Sequence, residues 1–154
     1  MPPPAAPHAR RGDGVRAATL AGMLLLAGVA VAGDPPVRVL ESQGRWESSY
    51  GEHFYNVVGK LRNDGTKALR WVKLRVDAVD KTGRVVASTE TYNESAGALA
   101  VPDLSAAEKD ALRPKLKPLA PGAEEAFRAG FLRDETPPFE THRVTVVETP
   151  AAGS

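Results

Sequence analysis

Apolar and polar residues alternate with period two in six runs of this chain, and that period predicts strands. The clearest run is Tyr55-Asn56-Val57-Val58-Gly59-Lys60-Leu61-Arg62. Tyr55, Val57, Gly59 and Leu61 share one face, and Asn56, Val58, Lys60 and Arg62 share the other. Gly59 interrupts the apolar row, which predicts a bulge or the close approach of a large aromatic side chain. Asn63-Asp64-Gly65 ends the run with residues that tolerate positive φ and bond their own backbone.

The other runs follow the same logic. Val37 to Glu41 predicts a first strand, and Leu69 to Val79 a third. In the third, Val72, Leu74, Val76 and Ala78 form the apolar row, with Trp71, Lys73, Arg75 and Asp77 opposite. Asp80-Lys81-Thr82-Gly83 reads as a hairpin turn into a fourth strand, Arg84 to Tyr92. The turn Leu119-Ala120-Pro121-Gly122 leads into a fifth, Ala123 to Phe131, with Phe127 and Phe131 facing the core. Phe139 to Val147 is the sixth.

Between these runs the alternation stops. Gln43 to Glu52 is polar, holds two glycines and reads as a loop, with Trp46 expected to pack at a strand end. Asn93 to Lys117 is rich in Ala, Ser and Pro. Ser105 and Glu108 have capping-box spacing, which predicts a short helix from Ala106 to Arg113, stopped by Pro114. Leu104, Leu112 and Leu116 are the residues available to dock it. Thr149 to Ser154 reads as a flexible tail. Short strands, tight turns and one insertion define the expected fold: an all-β, antiparallel immunoglobulin-like β-sandwich with one short helical insertion, residues 93–117. The sandwich domain is expected to span residues 53–148, after a leader and first strand in residues 33–52.

The N-terminus changes the charge balance. Arg10, Arg11 and Arg16 precede an uncharged apolar run, Ala17 to Ala32, that ends in Ala30-Val31-Ala32. That order predicts a signal peptide over residues 1–32 with cleavage before Gly33; the alternative is a retained N-terminal anchor. Cleavage takes 20 basic and 19 acidic residues to 17 and 18, a net charge of −1. No basic excess remains for nucleic acid. The chain has no cysteine, so disulfides, thiol chemistry and thiolate metal sites are excluded.

An ordered set of residues resembles a known family. Val57-x-Gly59-x-Leu61-x-Asn63 comes first, followed by Val72-x-Leu74-x-Val76 and then Asp80-x-x-Gly83-x-Val85. Leu119-x-Pro121-Gly122 with Phe127 completes it. The set is similar to the FxLYD-type β-sandwiches of exported prokaryotic proteins. The resemblance implies a sandwich in an extracytoplasmic location and carries over no catalytic residue. The chain departs from the pattern at Ala78-Val79, where the family tends to carry a tyrosine, and in the 93–117 insertion.

Candidate chemistry is sparse. There is no G-x-S-x-G elbow and no phosphate loop. His53 and His142, each beside a glutamate (Glu52 and Glu140), offer a metal pair, against the plainer reading of two strand-end histidines. Asp77 and Asp80 are too sparse for calcium. Asn93-Glu94-Ser95 is a glycosylation acceptor pattern. Trp46, Tyr50, Phe54, Tyr55, Trp71 and Tyr92 are available for a carbohydrate or peptide surface. The residues expected to bind a partner are Trp71, on the polar row of its strand, with Leu104 and Leu112 of the insertion. No catalytic, cofactor or metal residue is assigned. The expected function is a secreted or periplasmic, non-catalytic module that binds an unidentified protein or envelope component, without a membrane span once the signal is removed. The alternatives are a structural or accessory envelope domain without a specific ligand, and a small metal-binding or hydrolytic protein.

Overall fold

The computed structural model describes residues 35–153; the expected signal peptide lies outside them. Six strands form two three-stranded antiparallel sheets. They are β1 (Val37–Ser49), β2 (Glu52–Asn63), β3 (Lys73–Val79), β4 (Val85–Tyr92), β5 (Glu124–Leu132) and β6 (Thr141–Glu148). One sheet has the order β1-β2-β5 and the other β4-β3-β6. The sheets bury Tyr55, Val57, Leu61, Phe127, Ala129 and Phe131 in one cluster with Val72, Leu74, Val76 and Ala78. The expected apolar rows on β2, β3 and β5 are therefore the core. Among the described residues, no helix is long and apolar enough to cross a membrane.

The glycine in β2 is where an aromatic ring lies. Gly59 pairs with Phe127 of β5, and a Cβ at Gly59 would collide with the Phe127 ring and with the Glu41 carbonyl. The same device recurs in β1, where the Tyr55 ring fills the space a Cβ on Gly44 would need. In both cases the missing side chain lets a ring approach the neighbouring strand closely. The Glu41 carbonyl sits at a register shift between Val39 and Glu41, where β1 bulges.

Three expectations need correction. Gln43–Glu52 is not a loop: β1 runs on to Ser49 and turns through Tyr50-Gly51 into β2. Both turn residues have positive φ, 50° and 82°, as a two-residue hairpin requires. The polar sequence is that of an edge strand, whose inward positions here are Ser42, Gly44 and Trp46. Second, β3 begins at Lys73, so Trp71 precedes the strand instead of lying on its outer row. Leu69 instead bridges to Leu119 and Ala151. Third, the residues after β6 are tied down: Arg70 N–H donates to Pro150 O and Ala152 N–H to Ala68 O, both at 2.8 Å.

The insertion forms a 3-10 helix, Glu94–Ala100, and helix α1, Ala106–Leu112. The capping box is present as the spacing predicts, with Glu108 N–H donating to Ser105 Oγ at 3.3 Å and Ser105 N–H donating to Glu108 Oε2 at 2.8 Å. Two fully buried asparagines close the strand ends. Asn63 Nδ2 donates to Lys67 O (2.8 Å) and Leu119 O (3.1 Å). Asn93 Oδ1 accepts from Val72 N–H (2.7 Å), and its Nδ2 donates to Glu125 Oε2 (2.7 Å).

Replacing Gly59 with alanine tests the ring-over-glycine contact. The added methyl meets a ring and a backbone carbonyl, so the expected loss of stability is about 1–3 kcal/mol. Urea denaturation measures it, and trimming the ring with Phe127→Leu in the Gly59→Ala background should make the second substitution cost less than it does in the parent.

Candidate functional site

Two of the three residues expected to bind a partner, Trp71 and Leu112, are used internally. Trp71 is only 8% exposed and packs with Ala96 and Leu99, covered by Tyr92, Leu112 and Leu116. Its indole Nε1–H donates to Glu148 Oε1 at 3.0 Å, and the Arg113 guanidinium lies 5.1 Å from the ring centroid. Trp71 and Leu112 thus hold the insertion onto the sandwich, and Leu104 is half-buried outside that cluster. A bound partner would have to displace the insertion to reach the indole.

The other sequence candidates are likewise engaged. His53 is exposed and hydrogen-bonded to Ser48 Oγ at 2.6 Å. His142 lies between Ser42 Oγ (Nε2, 3.0 Å) and Tyr55 Oη (Nδ1, 3.1 Å). Among the described residues no three His, Asp or Glu side chains converge as a metal ion requires. Asp77 is buried between Ser88 (2.6 Å), Arg143 (3.1 Å) and Arg75 (3.2 Å). Burial pushes its carboxyl up, but the bonds from Ser88 and Arg143, with the two arginine charges, hold it below the usual range. Asn93 is fully buried with both side-chain polar atoms bonded, so it is not presented as a glycan acceptor.

A cleft of about 530 Å³ opens at one end of the sandwich. Trp46, Arg133, Thr136, Pro137, Pro138 and Phe139 line it. Trp46 is 51% exposed, although its strand position faces inward. Its ring meets Tyr55 edge-on at 5.3 Å and Phe139 at 5.6 Å with a 38° tilt. Phe139 in turn packs edge-on against Tyr55 (5.0 Å) and at a 55° tilt against Phe131 (5.9 Å). The platform is therefore continuous with the core, which fixes its rings. The opposite wall is held by its own bonds: Thr136 Oγ1–H donates to Leu132 O (2.7 Å), and Glu140 N–H to Val79 O (2.9 Å). Pro137 and Pro138 stiffen the stretch between.

A second, smaller hollow adjoins the same turn. Glu52, His53, Leu132, Asp134 and Glu135 line it. The short 3-10 turn Arg133–Glu135 contributes Arg133 to the aromatic cleft and Asp134 and Glu135 to the acidic hollow.

The expectation that Trp46 packs at a strand end holds for one side of its ring. The ring does pack on Tyr55, but its other surface faces solvent beside residues some 90 positions further along the chain. The available signal was a tryptophan in an otherwise polar, glycine-containing segment. A comparison with known protein families, with curated proteins and with solved structures gives no match.

His142 supplies a pH dependence. Burial holds its imidazole below the ordinary value of 6.5, and burial raises the Tyr55 hydroxyl. The unfolded chain therefore takes up the His142 proton before the folded one does. Stability is full above the unfolded value and falls as pH drops through it towards the folded one. Urea midpoints should fall as pH drops below about 6.5, and His142→Gln should flatten that decline.

Proposed function

We propose that this protein is an exported, non-catalytic binding module that takes its ligand at the Trp46 cleft. The half-exposed Trp46 indole, held rigid by Tyr55 and Phe139 in the wall of an open cleft, is the observation that carries this reading. Large exposed aromatics fixed in concave sites are favoured at binding surfaces, because they offer contact area at little entropic cost. Proline and arginine beside the ring add shape and one cation.

Two sequence features support export: the basic, apolar and small-residue order of residues 1–32, and the resemblance to FxLYD-type sandwiches. That resemblance also supports a role without chemistry. Of the two serine–histidine contacts among the described residues, Ser48–His53 is exposed beside the hairpin turn, and in Ser42–His142 the other imidazole nitrogen meets Tyr55 Oη where a catalytic triad would place an orienting carboxylate.

Site-directed photo-crosslinking in the native host tests the reading. A photoreactive phenylalanine replacing Trp46 should give a discrete adduct, and the same group at exposed Val147 on the far sheet should not. Equal labelling from both positions, or none from position 46, would overturn it and leave a structural role.

A further inference from the structure

We propose that the ligand of this end of the sandwich is an extended, proline-containing peptide with basic residues beside the prolines. This rests on the reading of the Trp46 cleft as the binding site and names the chemistry that fits it.

The aromatic cleft suits prolyl rings. Trp46 and Phe139 meet at 38° with centroids 5.6 Å apart, which makes a shallow trough with Pro137 and Pro138 along its side. A prolyl ring is compact, rich in C–H and without an N–H to satisfy, so it can seat on aromatic faces without leaving an unpaired donor. A polyproline II segment is also pre-ordered, so little conformational freedom is lost when it docks into an aromatic-lined groove.

The charge around the cleft selects among such peptides. Glu52, Asp134, Glu135 and Glu140 are all exposed at this end. Among the described residues none of the four has a salt-bridge partner, although other carboxylates on the sheets do: Glu41 with Lys60, Asp64 with Arg38, Glu90 with Lys73. Among the described residues that line the aromatic cleft, Arg133 is the only charged one. The end of the sandwich therefore carries four exposed carboxylates against the one cation of Arg133, a net negative charge next to an aromatic trough. The acidic hollow and the trough share the Arg133–Glu135 turn, so a strand-like ligand crossing that turn places a ring on one side and a cation on the other.

Tyr50 points the same way. It sits at the tip of the β1–β2 hairpin with a left-handed φ of 50°, and its side chain is fully exposed. Asparagine or glycine would hold that turn with less strain. The fold gains no burial from a tyrosine there, whereas a ligand gains another ring, about 13 Å of strand beyond Trp46.

The test uses the intact protein and synthetic peptides of about ten residues, a run of prolines followed either by arginines or by glutamates. Binding is read from the indole N–H resonances of Trp46 and Trp71. The arginine peptide should shift the Trp46 signal and leave Trp71 in place. It should bind at least about tenfold more tightly than the glutamate peptide, with the difference shrinking in high salt. The combined Glu52→Gln, Asp134→Asn and Glu135→Gln substitutions are all exposed, so the fold should survive them while the preference is lost. Equal affinity for the two peptides, or tighter binding of the glutamate peptide or of a neutral oligosaccharide, would overturn the ligand class while leaving the cleft as the site. So would failure of every probe to move the Trp46 signal of the parent protein while the variant with the photoreactive residue at position 46 still crosslinks. Failure of the crosslink itself would remove the site, and this proposal with it.

Discussion

Buried backbone at the end of a strand must find a hydrogen-bond partner, and here two asparagine side chains supply it. Asn63 and Asn93 are both fully buried, at the end of β2 and just past the end of β4. Asn63 gathers the carbonyls of Lys67 and Leu119 and accepts from Gly65 N–H at 3.0 Å, which fixes the path from β2 towards β3. Asn93 bonds the Val72 N–H ahead of β3 and Glu125 on β5, so one amide joins both sheets. Glu125 then accepts from Ser95 N–H and Ser95 Oγ, which sets the insertion on its course over Trp71. An apolar residue at either position would strand several buried polar groups at once.

The candidate site depends on the core in a similarly direct way. Tyr55 lies over Gly44, meets Trp46 and Phe139 edge-on, and bonds His142 across the sheets. One residue thus belongs to the core, to the platform of the cleft and to the link between the two layers. The platform is held by packing that the fold needs anyway, which is the rigidity a recognition surface requires.

What the sequence made legible follows from how local each signal is. The alternation of β2 and β5, the Asp80–Gly83 turn and the Ser105–Glu108 box are all set by near neighbours, and all appear where expected. The ring over Gly59 was also legible, because a glycine in an apolar row has few other reasons to be there. The second half of β1 was not: its pairing with β2 holds a polar edge strand that lacks an apolar row of its own. Trp71 was misplaced because a period of two was extended past the true start of β3. The cleft joins Trp46 to the stretch Arg133–Phe139, and no pattern within either segment announces that meeting.

The rings over Gly59 and Gly44 also have an evolutionary reading. Each contact is a lock of two positions on neighbouring strands, and neither position can change freely while the other stays. Lineages that share this fold should therefore keep or exchange Gly59 and Phe127 together, and Gly44 and Tyr55 together. Because Tyr55 also holds the Trp46 platform, drift at the first-strand glycine is tied to the fate of the cleft. A descendant that lost Gly44 would be expected to reshape its recognition surface before losing its fold.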